Sequence, residues 1–596
     1  MIDSEEIIMG LFDYRWLSLI GITKIPKTPW RKYYNSKIMK LDLKDENIYK
    51  YLLKRIKKNK CYDSVAFEYY GTKITYEELV EKIDSCADNF LSLGIKKFDI
   101  ITIISANIPE AIISFYALNK IGAVCNMLHP LLSQNEIKNI LNQYETKYVI
   151  TIDTIVNKID KIIKKTHVKK VIVVSPANSM SLFTKIGYKI FNRDKEEIIN
   201  TDRDIKWKEF TKLKNKNKKF VNVVKKDDPA VIFQSGGTTG TPKGIVLSNG
   251  NINASTTATL NALTDLKKGD KLLGIMPIFH GYGLEVSIND ALCIGATIVL
   301  IPQFKANEIH KLIKKYDPNI LVGVPTLFEA ITMDPNMDKI DLSHLKYVIS
   351  GGDSLNRERI EKINSFLYDH GSNVSVIQGY GLTEAVAVNC VDIRDFTHPG
   401  TVGIPLPGIY MGIFAPGTDQ EVDYGEDGEI CICGPTVMLG YYENEAETNL
   451  VLQHHRDGNI WLHTGDIGSM NKNGFITYKQ RSKRMIISSG YNVYPAQIEE
   501  VLEEHEAIDA VSVIGIPHKY KIEVPKAFVV LKKGYRLNQA LKDDLIKHCK
   551  KNLAIYAVPK EYVALDKLPK TVVGKVDFNK LREKSLKEME RKNGKN

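Results

Sequence analysis

Residues 230–244, AVIFQSGGTTGTPKG, join an apolar run of strand length to a loop of glycines and hydroxyl side chains that ends near Lys243. Such a loop suits a phosphate group, because glycines let backbone N–H groups approach the oxygens while the lysine adds positive charge. It differs from the nucleotide loop that ends in Gly-Lys-Ser/Thr, since Pro242 precedes Lys243. We predict a phosphate-bearing ligand here; a plain glycine-rich turn is the alternative.

Outward from this loop, apolar runs of strand length alternate with helical patterns. Residues 100–104 and 171–174 are typical of strands, and residues 110–121 are typical of a helix. This alternation predicts an α/β fold whose large N-terminal domain contains mixed, mostly parallel sheets with helices. Residues 178–226 are more polar and rich in lysine, which predicts a solvated connection or insertion.

The last third of the chain has a different pattern. Short strands and glycine-rich turns between residues 377 and 478 predict a β-rich subdomain. Beyond residue 481, helical patterns at 495–504 and 538–553 enclose strand patterns at 510–516 and 527–531. We therefore predict a small α+β C-terminal domain at 481–596, preceded by a subdivided domain at 1–480.

Length and composition limit the class of protein. A chain of 596 residues is longer than a single hydrophobic core usually accommodates, so at least two domains are expected. Its 43% hydrophobic and 26% charged residues exclude a disordered, fibrous or membrane-embedded protein. No apolar run approaches the roughly 18 residues of a spanning helix, and the first residues are acidic, unlike a secretory signal. The eight cysteines lack the spacing of a zinc site, and Cys431 and Cys433 fit a buried strand. We expect a cytoplasmic protein.

The glycine-rich loop resembles the phosphate loop of the adenylate-forming superfamily, which includes acyl- and aryl-CoA synthetases, firefly luciferases and peptide-synthetase adenylation domains. Five further motifs follow in family order: MPIFHG at 276–281, SGGD at 350–353, QGYGLTE at 378–384, WLHTGD at 461–466 and PKTVVGK at 569–575. Weaker matches from Thr75 and Tyr76 onward extend the resemblance over almost the whole chain. Six motifs in one order make chance agreement negligible.

The resemblance implies an enzyme that uses ATP, Mg²⁺ and a small carboxylic acid, with coenzyme A as co-substrate. It assigns nucleotide contacts to Ser235, Gly236, Gly237, Thr238, Thr239, Gly240, Lys243, Gly352, Asp353, Gln378, Gly379, Tyr380, Thr383, Asp466, Arg481, Lys483 and Lys575. Ser235 and Glu384 would hold Mg²⁺, which prefers hard oxygen ligands. Outside the motifs, Glu384 would be interpreted as a surface carboxylate, Asp466 as a turn residue and Lys575 as one more lysine.

The resemblance assigns catalysis to Thr383, Glu384, Lys575 and His280, and places the acyl group near His280, Gly281, Gly323 and Gly352. Similar amino-acid-activating domains have an aspartate near position 280, and none follows Phe279 here. The small residues of 280–283 and 323–325 suggest an apolar tunnel and hence a medium- or long-chain fatty acid. An aryl acid is the alternative substrate.

In similar enzymes the C-terminal domain rotates between the half-reactions, which implies a hinge at Arg484 and a path for the pantetheine arm past Ser489 and Gly490. Three positions depart from the family pattern. The family commonly has Ser where this chain has Gly236, Gly where it has Gln480, and Asp or Lys where it has Arg484. An acyl-AMP ligase that loads a carrier protein and a luciferase-like oxygenase are alternative enzymes. A basic protein that binds membrane or nucleic acid is the non-enzymatic alternative, and the intact motifs argue against it.

The net charge of +11 by itself is compatible with nucleic acid, anionic cofactors or an anionic membrane. We expect no nucleic-acid partner, and the sequence leaves the oligomeric state open. The lysine-rich residues 212–226, preceded by the more apolar 180–191, suggest peripheral docking on an anionic membrane. A solvated insertion is the alternative.

Overall fold

The computed structural model describes residues 27–191, 203–214, 223–235, 243–353, 355–393, 396–488, 491–518, 522–553, 555, 557–571 and 575–593. The chain divides into two compact units. The first unit comprises Met1–Gly412, Cys431–Leu462 and Lys472–Ile476, and the second comprises Ile413–Ile430, His463–Asn471 and Thr477–Asn596. Within the described ranges, no helix has the length and apolar character that crossing a membrane requires.

The strands of the first half are β1 (Val65–Tyr69), β2 (Thr72–Thr75), β3 (Ile100–Ile104), β4 (Val124–Leu128), β5 (Tyr148–Ile152), β6 (Lys170–Val174), β7 (Asp204–Lys206), β8 (Pro229–Gln234), β9 (Gly244–Ser248), β10 (Lys271–Gly274) and β11 (Thr297–Leu300). They are followed by β12 (Ile320–Gly323), β13 (Tyr347–Gly351), β14 (Val376–Tyr380), β15 (Cys390–Val391), β16 (Ile404–Pro405), β17 (Tyr410–Phe414), β18 (Gly428–Cys433) and β19 (Gly440–Tyr441). The last strands are β20 (Leu452–His454), β21 (Ile460–Met470), β22 (Ile476–Arg481), β23 (Ile486–Ser488), β24 (Tyr491–Val493), β25 (Ile508–His518), β26 (Ile522–Leu531) and β27 (Glu561–Ala564).

The α-helices of the described residues begin with α1 (Ser36–Met39), α2 (Ile48–Asn59), α3 (Tyr76–Ser92), α4 (Pro109–Ile121), α5 (Gln134–Gln143), α6 (Val156–Ile163), α7 (Leu182–Phe191), α8 (Trp207–Phe210) and α9 (Asn249–Ala262). They continue with α10 (Ala291–Ile294), α11 (Ile309–Tyr316), α12 (Pro325–Met333), α13 (Arg357–Asp369), α14 (Glu445–Val451), α15 (Pro495–Glu503), α16 (Gln539–Asn552) and α17 (Phe578–Asn593). A π-helical segment, Gly283–Asp290, precedes α10.

An eight-stranded sheet in the order β19-β9-β8-β4-β3-β5-β6-β7 carries the glycine-rich loop between β8 and β9. The pairs from β8 through β7 are parallel, and β9 is antiparallel to both β8 and β19. Residues 101–104 of the central strand β3 are buried, as expected of a parallel sheet whose strands are apolar on both faces. The predicted mostly parallel α/β architecture is confirmed.

A nine-stranded sheet in the order β16-β15-β14-β13-β12-β10-β11-β1-β2 carries three of the predicted site segments. Strands β12, β13 and β14 are parallel neighbours, and Gly323 lies opposite Ser350, which lies opposite Gln378. These residues therefore form a row at the carboxyl ends of adjacent strands, where open α/β sheets bind their ligands.

The structure differs from the prediction at residues 203–210, which are more than a solvated connection. Strand β7 extends the eight-stranded sheet, and Phe210 is fully buried with its ring 4.8 Å from that of Phe90. Arg203 forms ion pairs with Asp160 and Asp204. Aromatic burial and charge pairing thus order a segment whose lysine content indicated exposure.

The remaining strands form two sheets of five. One has the order β17-β18-β21-β20, with β22 beside β21, and the other has the order β24-β23-β26-β25, with β27 beside β26. Helices α15 and α16 and strands β25 and β26 agree with the four patterns predicted beyond residue 481. Strand β18 contains Cys431 and Cys433 as expected, with Cys431 buried and Cys433 partly buried, and all eight cysteines are free thiols.

Candidate active site

The base of the glycine-rich loop is closed by reciprocal hydrogen bonds between its first and last described residues. The backbone N–H of Ser235 donates to the carbonyl of Lys243 at 2.8 Å, and the Lys243 N–H donates to Ser235 Oγ at 2.9 Å. Both residues continue the pairing of β8 with β9. The intervening Gly236, Gly237, Thr238, Thr239 and Gly240, which the sequence assigns to phosphate, lie outside the described residues.

The ammonium of Lys243 is held by two residues that the sequence did not predict. Its Nζ lies 2.6 Å from Glu447 Oε2 and 4.5 Å from the ring centroid of Tyr441. A carboxylate and an aromatic face both stabilise a cation. This geometry keeps a positive charge beside the base of the loop.

Tyr441 also contacts Glu384, the predicted metal ligand. Its hydroxyl donates to Glu384 Oε1 at 3.1 Å, and the Met438 N–H donates to the Glu384 carbonyl at 2.9 Å. Strand β19 brings Tyr441 there because it pairs with β9, with Tyr441 opposite Ile245. The loop base and the carboxylate are thereby joined through one tyrosine ring.

The oxygen atoms of Glu384 and Ser235 fit a magnesium ion by their chemistry. Glu384 is only half-buried, and within the described ranges no hydrogen bond engages its second carboxylate oxygen. Ser235 presents a hydroxyl oxygen at the loop base. Carboxylate, hydroxyl and substrate phosphate oxygens are the hard ligands that Mg²⁺ prefers, so Glu384 and Ser235 are chemically suitable to hold it.

The backbone after Glu384 is strained. Val386 has φ +71° and ψ −74°, and the Ala387 N–H donates to the Ala385 carbonyl at 3.0 Å, which makes a γ-turn with positive φ. Such geometry is costly for a β-branched residue and persists only where the surroundings impose it. Here Val386 is fully buried, and a Cβ at Gly381 would lie 1.5 Å from the Ala387 carbonyl oxygen. Close packing thus holds the segment that carries Thr383 and Glu384.

The row of strand ends in the nine-stranded sheet brings together the SGGD and QGYGLTE motifs, which contain several of the predicted nucleotide contacts. Gly351 lies opposite Gly379, and the Gln378 amide accepts from the Leu355 N–H and donates to the Thr401 carbonyl, both at 3.1 Å. Tyr380 is largely buried, whereas Gly352 and Asp353 are exposed. Gly352 has φ +80°, a conformation that favours glycine.

The predicted acyl-binding residues lie beside the strained turn. A Cβ at Gly281 would lie 2.5 Å from the Val386 carbonyl oxygen, so this backbone packs directly against the turn. His280 is exposed, and its Nδ1 accepts from the Tyr282 N–H at 3.3 Å. Gly323 lies at the end of β12. The Gly323 carbonyl oxygen lies 3.4 Å from the hydroxyl of the buried Tyr282. Tyr282, which belongs to the segment 280–283 that the sequence analysis placed at the acyl tunnel, is buried.

The π-helical segment after Tyr282 contains two buried acids. Burial raises the pKa of Asp290 to about 7, and burial together with Asp290 raises the pKa of Glu285 well above its usual value. Thr256 donates to Glu285 Oε1 at 2.7 Å, and its hydroxyl accepts from Asn289 at 2.7 Å. π-Helical turns frequently occur at functional sites. Burial and mutual repulsion therefore favour the protonated forms of these two carboxyl groups.

In the second unit, Asp466 is buried and its Oδ1 lies 3.0 Å from Arg481 Nε. Arg481 also donates to the Thr464 carbonyl at 3.0 Å. The sequence analysis predicted both residues as nucleotide contacts, and the structure brings them into contact with each other. The Lys483 side chain and residues Ser489 and Gly490 lie outside what the structure describes.

Arg484 and Lys575 occupy different surroundings in the same unit. The Arg484 guanidinium lies 2.6 Å from Glu499 Oε1 and 3.8 Å from the ring centroid of Phe578. Lys575 is exposed, and its carbonyl accepts from the Thr571 N–H at 2.7 Å. The side chain of the predicted hinge residue, Arg484, is therefore held by Glu499 and Phe578, whereas the predicted catalytic lysine, Lys575, is exposed.

Comparisons with known proteins identify the family to which this chain belongs. Residues 53–442 match the AMP-binding enzyme family, and residues 497–575 match the AMP-binding enzyme C-terminal domain. A long-chain-fatty-acid–CoA ligase of Bacillus subtilis is 34% identical over 86% of this chain and 90% of the relative. A probable 4-coumarate–CoA ligase 1 of Dictyostelium discoideum is 31% identical over 86% and 91%. The ATP-bound crystal structure of MatB from Rhodopseudomonas palustris superposes with a TM-score of 0.77, at 25% identity over 90% of this chain and 99% of that one.

The chain belongs to the AMP-binding enzyme family. At the level that these matches support, it is an AMP-forming acid–CoA ligase that uses ATP, Mg²⁺ and coenzyme A. The resemblance stated from the six motifs is confirmed.

Proposed function

We propose that this protein is a fatty acyl-CoA synthetase that acts on medium- or long-chain fatty acids. The observation that carries the adenylation chemistry is that Tyr441 contacts both residues, with the Lys243 ammonium over its ring and its hydroxyl donating to Glu384. The fatty acid is supported by the small residues near Gly281 and Gly323 and by the Bacillus subtilis relative. An aryl acid remains the second candidate because of the coumarate ligase relatives.

The proposed first step needs no general base. A carboxylate is ionised at pH 7, so its oxygen attacks the α-phosphorus of ATP directly. The bond from the α-phosphorus to the bridging oxygen breaks, and pyrophosphate leaves. Lys243 and the loop donors would orient the phosphates and offset their charge. Mg²⁺, held by Glu384 and Ser235, would supply further charge neutralisation.

The second unit supplies the remaining proposed groups. Asp466 would accept hydrogen bonds from the ribose hydroxyls, with Arg481 and Lys483 as neighbouring contacts, and Lys575 would bridge the carboxylate and the α-phosphate. In the second step the thiol of coenzyme A attacks the acyl carbonyl, and AMP leaves. We propose that residues 481–596 rotate about Arg484 between the steps and that Ser489 and Gly490 line the pantetheine path.

A panel of acids tests the proposed substrate. With ATP, Mg²⁺ and coenzyme A, we expect AMP and pyrophosphate to appear together, with the highest kcat/KM on saturated acids of medium or long chain. The measurement is a coupled assay over a chain-length series that includes benzoate and coumarate. Release of ADP would refute the adenylation chemistry. A preference for the aromatic acids would refute only the proposed fatty-acid substrate. Turnover with a carrier protein but not with coenzyme A would show that the carrier protein is the acyl acceptor.

We also propose peripheral contact with anionic membrane, a natural source of fatty acids. Helix α7 exposes Leu182, Phe183 and Ile186, with 70%, 87% and 50% of their surfaces accessible. Lys185 lies on the same helix, and Lys212 and Lys214 are exposed further along the chain. An apolar helix face accompanied by lysines is the chemistry that binds an anionic lipid surface.

Vesicle co-sedimentation tests this contact. The protein is expected to bind vesicles that contain anionic lipid and to be released by salt, because screening weakens the lysine contribution. Phe183→Ser should reduce binding severalfold, whereas Tyr368→Ser, which removes a ring that is 77% exposed on α13, should not. Absent binding, or equal loss in both variants, would remove the proposed docking.

A further inference from the structure

Glu429 and His463 form a buried pair in the second unit, outside the residues that the motifs assigned to chemistry. Glu429 is 8% exposed on β18, and His463 is 5% exposed on β21. His463 Nδ1 lies 2.9 Å from Glu429 Oε2. The other carboxylate oxygen, Oε1, accepts from the Gly465 N–H at 2.9 Å, and Oε2 also accepts from the Gly417 N–H at 3.3 Å. One carboxylate therefore holds both ends of the segment 463–465.

That segment leads directly to Asp466. Gly465 adopts φ +69°, a conformation in which glycine is favoured, and Thr464 donates to the Ile430 carbonyl at 2.6 Å. The Thr464 hydroxyl accepts in turn from the Asp466 N–H at 3.0 Å. This part of β21 is thus attached to β18 at three successive residues. Asp466 follows it and does not contact Glu429 in any of these bonds.

The electrostatics keep this attachment charged. Burial alone would raise the pKa of Glu429, but hydrogen bonds from His463 and from the Gly465 N–H hold the pKa below its usual value. An ionised carboxylate accepts at both oxygens. A glutamine at 429 has nearly the same shape but one accepting oxygen, so its NH₂ group would oppose a donor at one of the contacts.

We infer that Glu429 and His463 are positioning residues that fix the segment 463–465 of β21 so that Asp466 meets the ribose hydroxyls. The inference rests on the proposed role of Asp466 and adds two residues that act through it. Neither residue is expected to touch the nucleotide. Their loss should weaken recognition of the ribose and leave the chemistry of the reacting atoms nearly intact.

The test compares ATP with 2′,3′-dideoxy-ATP, which lacks both ribose hydroxyls. The parent enzyme should prefer ATP, because hydrogen bonds to a charged acceptor are worth about 10-fold or more in affinity. In Glu429→Gln, KM for ATP should rise by a similar factor with kcat little changed, and the preference for ATP in kcat/KM should fall toward unity. Glu426→Gln replaces an exposed glutamate three residues earlier and should leave the preference unchanged.

A loss of stability alone would reduce turnover of both nucleotides equally, and that result would overturn the inference. His463→Gln keeps a donor toward Glu429, whereas His463→Leu does not, so the glutamine variant should retain more of the preference for ATP. This pair keeps the test decisive if Glu429→Gln folds poorly. Equal behaviour of the two histidine variants would contradict the positioning role.

Asp466→Asn separates the inference from the proposal beneath it. If the parent does not distinguish the two nucleotides and Asp466→Asn leaves KM for ATP unchanged, the proposed role of Asp466 fails. If Asp466→Asn abolishes the preference while Glu429→Gln retains it in full, only the positioning role of Glu429 fails.

Discussion

Replacing Lys575 by alanine is expected to slow formation of the acyl-adenylate by about 10²-fold or more, the scale on which removal of one preorganised donor acts. The proposed reason is that its ammonium bridges the substrate carboxylate and the α-phosphate only during the first step. Thioester formation should survive, because the lysine would have moved away with the C-terminal domain. Adenylation is measured by pyrophosphate release or by isotope exchange between pyrophosphate and ATP.

The second step is measured separately by supplying synthetic acyl-AMP and coenzyme A, from which Lys575→Ala should make acyl-CoA at nearly the parent rate. Lys580→Ala is the matched control, since Lys580 is another exposed lysine five residues along the chain. It should leave both steps unchanged. Equal impairment of both steps in Lys575→Ala would contradict the two-conformation assignment and make Lys575 a structural or shared binding residue.

Replacing Arg484 by proline is expected to have the opposite effect. Proline fixes φ near −65°, which would hinder rotation at the proposed hinge and slow thioester formation from acyl-AMP by up to about 10²-fold, the scale on which misplaced reacting groups act. Adenylation should be largely retained. The measurement is the same pair of half-reaction assays.

The structure supplies a control for this variant, because Arg484 also pairs with Glu499 and lies over Phe578. Arg484→Ala loses both contacts and keeps the backbone free, so it isolates the contribution of the side chain. Proline should slow the second step far more than alanine does. If the two variants slow it equally, the side-chain contacts of Arg484 matter and the hinge assignment is wrong.

The prediction from sequence was strongest where the signal is local. An apolar run such as residues 100–104 becomes a buried parallel strand because it places apolar side chains on both faces of the sheet, and both faces are covered. The helix at Pro109–Ile121 begins with a proline and ends at Gly122 in the left-handed region, both of which are standard boundary signals. Local patterns failed at residues 203–210, where the burial of Phe210 against Phe90 depends on a contact with a distant helix.

The sequence by itself determined the family, the order of the motifs and the α/β class, because each is written in contiguous residues. Only the tertiary structure joined Lys243 and Glu384 through Tyr441, and attached the segment of β21 before Asp466 to Glu429. These contacts depend on which strands pair and in what register. Pairing of β9 with β19, for example, joins residues 245 and 441 with no spacing that a linear pattern records. Side chains separated this far along the chain meet only when the whole sheet has formed, so their roles follow from packing and not from motif.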